Sequence, residues 1–314
     1  VNSSAIGFRD VTVRYGDRTA VDRVSLDIEA GSLTVLLGQS GSGKSTLLRT
    51  VNRLVSPQSG SVTVEGRNVA TLPATGLRRG IGYVIQAVGL FPHLSVARNI
   101  AIVPELEGWS RERIAARVDD LLALMKLEPS VYRDRLPRAL SGGEAQRVGV
   151  ARALAAEPRV LLMDEPFGAV DPLVRAELQA ETLRIQRTLG TTFLFVTHDV
   201  DEALRLADRV VVMHGGRVLQ YGAPIDVLAH PAEAYVAGLL GTGDSLRKLR
   251  LIEAGTVARK APPAPGAPRI GRSANLGDAL EALLRGASEV NVADGSDSAG
   301  VVDFSDIRSA LASL

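Results

Sequence analysis

Short, fully apolar runs alternate with helical patterns along most of the chain. Leu33-Thr-Val-Leu-Leu37, Val160-Leu-Leu-Met163 and Thr192–Val196 read as buried parallel strands. Ile6–Arg14 and Val24–Ile28 instead alternate apolar and polar positions, as half-buried antiparallel strands joined near Gly16-Asp17 do. Val62–Gly66 is expected to form a further hairpin arm, and Ile81-Gly-Tyr-Val-Ile85 a strand closed by Gln86. Between about Pro92 and Ala139 the period becomes helical. Ile114, Val118, Leu121, Leu122 and Met125 share one apolar face, which predicts a helical subdomain inserted into a strand-rich core. Val210–Met213 and Arg217–Tyr221 flank a hairpin turn at His214-Gly215-Gly216, and two short helical stretches close this region near Leu240.

One stretch organises these elements. Gly38-Gln39-Ser40-Gly41-Ser42-Gly43-Lys44-Ser45-Thr46 fits G-x-x-x-x-G-K-[ST], between a buried strand and a helical pattern that runs to Leu54. The glycines let the backbone N–H groups converge on one anion, and the helix N-terminus adds partial positive charge. Lys44 would reach the β- and γ-phosphates of a nucleotide, and Ser45 would ligate Mg²⁺. With Lys, Ser and both flanks in place, a plain glycine-rich turn is the weaker reading.

Composition adds few constraints. The 314 residues suffice for one large domain and a smaller one. A net charge of +1 gives no whole-chain argument for nucleic-acid binding. The absence of cysteine excludes disulfides and thiolate sites. No apolar run approaches the roughly 18–20 residues of a membrane helix. The start, Val1-Asn-Ser-Ser-Ala, has neither the basic nor the apolar region of a signal peptide, and its missing Met suggests trimming.

Further polar positions fall at the ends of predicted elements. Ser141 and Glu144, three apart after Leu140, form a capping box for a helix reaching about Ala155. Gly142 and Gly143 clear side chains from that N-terminus and leave it open to an anion, yet nothing in that segment supplies one, so the site reads as half of a larger one. Asp164 and Glu165 close the Val160–Met163 strand, where open α/β sheets bind ligands. Asp164 suits Mg²⁺ held through water, and Glu165 suits orienting the attacking water. His198 occupies the corresponding end of Thr192–Val196. Asp171-Pro172 starts a helix that Gly190 ends. Tyr15, at the end of the first strand, offers a ring to a purine. His93, His214 and His230 carry no comparable context.

Taken in order, these motifs resemble the ATP-binding-cassette ATPases from about Ile6 to Leu240. The resemblance implies an α/β fold: a P-loop (RecA-like) core, an antiparallel β subdomain and an inserted helical subdomain (about 90–157). It implies that Tyr15 stacks on adenine, Gln86 touches Mg²⁺ and senses the γ-phosphate, Glu165 is the general base, and His198 is the switch histidine. It also implies a head-to-tail homodimer in which Ser141, Gly142, Gly143 and Glu144 meet ATP held by the partner's P-loop, with Gly168-Ala-Val-Asp171 crossing between the sites. Within the family, Tyr83–Gln86 followed by Gly89-Leu-Phe-Pro-His93, the span around Leu140–Ala153, and Gly241–Leu249 look most like ATPases of importers for glycine betaine, carnitine, choline or proline. That implies transmembrane permease subunits docked near Gln86–Val96, a solute-binding protein outside the cell acting indirectly, and peripheral placement on the cytoplasmic face of the membrane. Ala87 stands where relatives usually carry a polar residue, Glu144 replaces a common Gln near the ribose, and Val170 replaces Leu.

Other classes fit less well. Repair ATPases carry long coiled-coil insertions and translation ATPases two cassettes per chain; a P-loop kinase or GTPase has no need of Leu140–Gly143. An importer of another small polar solute, an amino acid or a polyamine, is the nearest alternative, because the permease and binding protein select the solute.

After Gly243 the composition shifts. Ser245–Arg272 holds seven basic residues and one acid, Glu253, with Pro262-Pro-Ala-Pro265 and Pro268, so 243–270 reads as a basic, Pro-rich linker. Leu276–Leu314 holds seven acids against Arg285 and Arg308. A helix at Ala279–Leu284, strands at Glu289–Val292 and Gly300–Val302 about an Asp294-Gly295 turn, and a helix capped at Ser305 resemble a single cystathionine-β-synthase-type (CBS) module over 271–314. The opposed charge blocks suggest a salt-sensitive regulatory contact; a solvated tail with a dimerising module is the equal alternative.

Overall fold

The computed structural model describes residues 4–87, 89–168, 170–241, 244–294 and 297–313, without the side chains of 172, 173 and 297–299. Val88, Ala169, Thr242, Gly243 and Gly295, which fall within segments singled out above, lie outside the described residues. The chain divides into two compact units, Val1–Tyr221 and Gly222–Leu314.

The first unit has two sheets. In the antiparallel sheet, β1 (Ser4–Tyr15) pairs with β2 (Arg18–Glu29) and β4 (Ser59–Val64), and β5 (Arg67–Asn68) extends β4. The apolar positions of β1 and β2 are the physical reason for this sheet: Ile6, Phe8, Val11, Val13, Val24, Leu26 and Ile28 are buried in one core, with a clean in-out alternation over Val24–Ile28 and buried neighbours Ala5, Gly7 and Thr12 in β1.

The second sheet is built from the apolar runs. Its order is β10-β9-β3-β8-β7-β6, with β3 (Leu33–Leu37), β6 (Ile81–Val84), β7 (Val160–Asp164), β8 (Thr192–Thr197), β9 (Arg209–His214) and β10 (Arg217–Gly222). Strands β6, β7, β8, β3 and β9 run parallel. Leu33, Val35, Leu36, Leu37, Leu161, Leu162, Phe193 and Phe195 are fully buried, as expected of strands covered on both faces. At ~1.5–3 kcal/mol per buried side chain, these strands are a main source of the unit's stability.

Between β6 and β7 lie the helices of the inserted subdomain. They include Val96–Leu106 capped by Ser95, Arg111–Leu124 capped by Ser110, and Gly142–Leu154 capped by Ser141. Val118, Leu121, Leu122 and Met125 are buried, as their spacing predicts.

The second unit has its own core of Leu249, Ala254, Leu276, Ala279, Leu283, Val290, Val292, Val302 and Ile307. Its sheet order is β11-β12-β13, from Arg269–Ile270, Val290–Asp294 and Asp297–Val302. Two readings change here. The stretch read as a linker carries the helices Ser245–Leu249 and Ala254–Val257, because Leu249 and Ala254 are apolar positions that the core takes up. The last helix is capped by Asp303 rather than Ser305: the Asp303 carboxylate accepts from the N–H groups of Ser305 and Asp306, and Asp306 returns the bond to the Asp303 N–H.

Candidate functional site

Strand register assembles the site. Leu37 pairs with Thr197, and Asp164 pairs with Val196. The loop after β3, the carboxylates ending β7 and His198 after β8 therefore emerge at one edge of the sheet, the C-terminal edge where parallel strands deliver ligand-binding groups. Val84 pairs with Met163, so Gln86 leaves from that edge too.

The loop after β3 is moulded from outside. Gly43 caps the P-loop helix Lys44–Val51 with φ 101°, a region that side chains disfavour. A Cβ there would lie 2.2 Å from the Ala20 carbonyl oxygen of β2. The Gly216 N–H, in the β9–β10 turn, donates to the Ser42 carbonyl at 3.1 Å. Arg18 donates weakly to the Gly41 carbonyl at 3.4 Å, which brings the end of the β1–β2 hairpin to the loop. Tyr15 pairs with Arg18 there, with 55% of its side chain exposed and open to stacking.

Lys44 is buried and curls onto its own loop, with Nζ 2.7 Å from the Gly38 carbonyl and 2.9 Å from that of Gln39. Burial pushes its ammonium below the usual range, while Glu165 and Asp164 push it back up. The Ser45 hydroxyl donates to Asp164 Oδ1 at 2.6 Å. Arg49 Nη2 donates to Asp164 Oδ2 at 3.0 Å. Gln39, Ser40 and Gly41 are exposed, and Gly38 and Ser42 are buried; Thr46 is half-buried on the first turn of the helix.

Glu165 follows with φ 47°, a left-handed backbone costing about 1–2 kcal/mol for a non-glycine residue. Its N–H donates to the Val196 carbonyl at 3.0 Å and its carbonyl accepts from the Gly168 N–H at 3.2 Å. These bonds turn its carboxylate toward His198, whose Nδ1 lies 3.2 Å from Glu165 Oε2. A Cβ on Gly168 would lie 3.6 Å from Gln86 Nε2 and 3.8 Å from Glu165 Oε2, so the exposed Gln86 amide flanks the same spot.

Ser141–Glu144 stand apart on the helical subdomain. Ser141 Oγ accepts from the Glu144 N–H, and Glu144 Oε2 accepts from the Ser141 N–H at 2.6 Å. Ser141, Gly142 and Gly143 make no hydrogen bond to the P-loop of their own chain among the described residues. Expected near a ribose, Glu144 has its oxygens engaged within the chain, since Tyr132 donates its hydroxyl to Oε1. That bond, then the Ser141 N–H, holds the carboxyl below its ordinary range. Asp171 is exposed just before the helix Pro172–Leu189.

Arg49 and Tyr132 were not singled out from sequence. Arg49 lies four residues after Ser45, on the same helix face, and that phase was a usable signal. Tyr132 reaches Glu144 only through the tertiary fold.

A cavity of about 800 Å³ opens at the opposite edge of the sheet, lined by Gly31, Pro158, Arg159, Gly190 and Thr192 among others, and touches none of these groups. The convergent polar chemistry is at the C-terminal edge.

A strand–P-loop–helix with a carboxylate pair and a histidine on neighbouring parallel strands defines a nucleotide-hydrolysing P-loop protein, and comparison with known proteins places it more closely. The ABC transporter family model matches residues 21–168. The glycine betaine uptake system ATP-binding protein of Escherichia coli (strain K12) is 48% identical over 91% of this chain and 92% of its own. The osmoprotectant import ATP-binding protein of Salmonella typhimurium (strain LT2) is 46% identical over 77% of this chain. The glycine betaine/carnitine/choline transport ATP-binding protein of Bacillus subtilis (strain 168) is 47% identical over 73% of this chain. The chain spans only 64% and 60% of the length of those last two relatives. Among solved structures, cbiO1 from Clostridium perfringens matches with a TM-score of 0.67 and 30% identity, over 75% of this chain and 95% of its own. A dimeric ATP-binding cassette in a post-hydrolysis state with ADP and Pi matches with a TM-score of 0.62 and 30% identity, over 70% of this chain and 98% of its own. The chain belongs to the ATP-binding proteins of ABC transporters, and its P-loop domain is an ATPase cassette.

Proposed function

We propose that this chain is the ATP-hydrolysing motor of an importer for osmoprotectants of the glycine betaine, carnitine, choline and proline class. The carrying observation is the alignment at 48% identity along 92% of a glycine betaine uptake ATP-binding protein. We read the working unit as a head-to-tail homodimer docked on transmembrane permease subunits at the cytoplasmic face, with a solute-binding protein acting on the permease. In support, Ser141 and Gly142 are exposed and, among the described residues, the Ser141–Gly143 terminus makes no hydrogen bond to the P-loop of its own chain; nor is any helix among them long and apolar enough to cross a membrane.

In this reading the P-loop N–H groups bind the phosphates and Lys44 swings from the Gly38 and Gln39 carbonyls to the β- and γ-phosphates. Tyr15 stacks on adenine. Glu165 takes a proton from the attacking water, and His198 holds the Glu165 carboxylate in place. The donor set fits Mg²⁺: Ser45 Oγ and Asp164 Oδ1 are hard oxygens 2.6 Å apart, with Gln86 on the same edge. No group of three or more His, Asp or Glu suited to a metal occurs among the described residues, so phosphate oxygens and water would complete the shell. The metal, when bound, supplies neutralisation of phosphate charge. ATP then bridges the P-loop to the partner's Ser141–Glu144 helix, and loss of the γ-phosphate releases it, with Asp171 between the two sites.

We read residues 271–314 as a single CBS-like module. Arg259, from the basic stretch, is bonded to Asp303 at 2.7 Å and to Asp306 at 3.0 Å. Such exposed pairs weaken with salt, the Debye length being ~8 Å at physiological ionic strength, which supports a salt-responsive tail. Transport whose salt dependence survives Arg259→Ala would remove that role.

The functional test is ATP-driven uptake of labelled glycine betaine by this chain reconstituted with its co-purified permease and binding protein, with Glu165→Gln as control. Uptake lost in the variant supports motor and solute class together. A complex that hydrolyses ATP without betaine uptake would keep the motor and turn the search to amino acids and polyamines.

A further inference from the structure

Asp164 is the residue on which the metal reading turns, and both of its oxygens are occupied by donors from one helix. Oδ1 accepts from Ser45 and Oδ2 from Arg49. Ser45 and Arg49 lie one turn apart on the helix Lys44–Val51, so the same face presents both to the end of β7. Tyr83, on the neighbouring strand β6, lies close enough to the Arg49 guanidinium to help hold it in its charged form. Nearly half of the Arg49 side chain is exposed, 47%, whereas Asp164 is buried.

The two bonds do different work. Asp164 closes a fully buried strand and is also held by its bond to Ser45. What Arg49 adds is a full positive charge in direct contact with a buried carboxylate. Lys44 is also near, but its ammonium is bonded to the Gly38 and Gln39 carbonyls. A divalent cation approaching Ser45 and Asp164 Oδ1 without nucleotide therefore meets a carboxylate that is already neutralised, beside a like charge.

We propose that Arg49 is a positioning residue that biases the metal site toward the nucleotide-bound state: it neutralises Asp164 so that a divalent cation binds more weakly until phosphate oxygens add negative charge. Arg49 acts through Asp164 and touches no reacting atom. The inference rests on the metal reading of Ser45 and Asp164 given above, and concerns how that site is gated.

The test is a Mn²⁺ titration of the nucleotide-free full chain, followed by electron paramagnetic resonance. Removing a unit charge adjacent to a divalent cation at a partly exposed site corresponds to about tenfold in affinity. Arg49→Gln, which keeps a hydrogen-bond donor and loses the charge, is expected to tighten nucleotide-free Mn²⁺ binding by about that factor. Arg49→Leu should do the same without an amide, and Arg49→Lys should stay near wild type. Binding of a fluorescent ATP analogue in EDTA should be unchanged in all three, showing an intact P-loop. A merely structural role for Arg49 would weaken Mn²⁺ binding on substitution. Neutral variants that bind Mn²⁺ no more tightly than wild type, with analogue binding intact, would overturn the inference. Wild-type protein that takes up no Mn²⁺ even with ATP present would instead overturn the metal reading itself.

Discussion

His198 Nδ1 and Glu165 Oε2 stand 3.2 Å apart, joining the ends of two adjacent parallel strands. The contact is anchored by the Glu165 backbone, held in the left-handed region by its bonds to Val196 and Gly168. Hydrolysis needs a carboxylate at the water and a partner that fixes it there. Glu165→Gln is expected to lower steady-state phosphate release about 10²–10⁴-fold, with ATP binding retained and an ATP-bound dimer accumulating on gel filtration. His198→Ala should also lose turnover while keeping nucleotide affinity. Turnover of Glu165→Gln close to wild type would remove Glu165 from its role.

The P-loop and Leu-Ser-Gly-Gly glycines separate two kinds of constraint. A Cβ on Gly43 would meet the Ala20 carbonyl at 2.2 Å, at a φ of 101°. Gly43→Ala should therefore abolish nucleotide binding and lower stability by more than about 2 kcal/mol, since neither backbone can yield by rotating a side chain. A Cβ on Gly142 meets nothing within 4 Å. Gly142→Ala should leave the chain as stable as before, or more so by up to about 1 kcal/mol, yet impair hydrolysis if that surface faces a second chain's ATP. Thermal midpoints and ATPase rates measured side by side check both. A Gly142→Ala protein with full activity would count against the shared site.

These outcomes also mark what the residue order could convey. The P-loop, Asp164, Glu165 and His198 were legible because each sits at the end of an apolar run, and parallel register brings such ends to one edge without further information. The capping box at Ser141 and Glu144 was legible because it is a contact over three residues. The Tyr132 bond to Glu144 was not, because eleven intervening residues must fold before the two meet. Arg49 was hidden differently: its helix phase was readable, but an exposed arginine looks like solvated surface until the strand carrying Asp164 lies beneath it. In the second unit, charge and prolines drew attention from Leu249 and Ala254, whose apolar side chains decide where the chain goes.

Glu144 is held below its ordinary range by the Tyr132 hydroxyl and then by the Ser141 N–H. A carboxyl with a lowered folded value contributes stability above its unfolded value, near 4.3, and loses it as pH falls through the folded value. Tyr132→Phe removes the larger cause. The variant should melt below wild type at pH 6–8, by a modest margin because the site is mostly exposed, and the gap should close below about pH 4. Thermal melts across pH 3–8 measure this; a constant gap would mean that Tyr132 acts through packing alone.

Glu202 shows the opposite sign. It is buried beside Gln179, whose amide donates to it at 2.8 Å, and burial raises its carboxyl above the ordinary range, while polar contact with Thr197 and Gln179 pulls the other way. A carboxyl with a raised folded value favours the fold below its unfolded value, near 4.3, and that contribution is lost as pH rises through the folded value. At neutral pH the chain therefore carries a partly desolvated charge, or the proton that neutralises it. Glu202→Gln keeps an oxygen that can accept from Gln179 and removes the charge. It should raise the midpoint of the first unit at pH 7–8 by about 2–4 °C, the shift expected for a gain of ~1 kcal/mol in a unit of that size. The advantage should vanish near pH 3, about a unit below the unfolded value, where wild-type Glu202 is protonated in both states. Melts at the two pH values decide it: an equal gain at both would assign the effect to packing, and a loss at pH 7 would mean that the ionised carboxylate supports the turn between β8 and the helix Val200–Leu206.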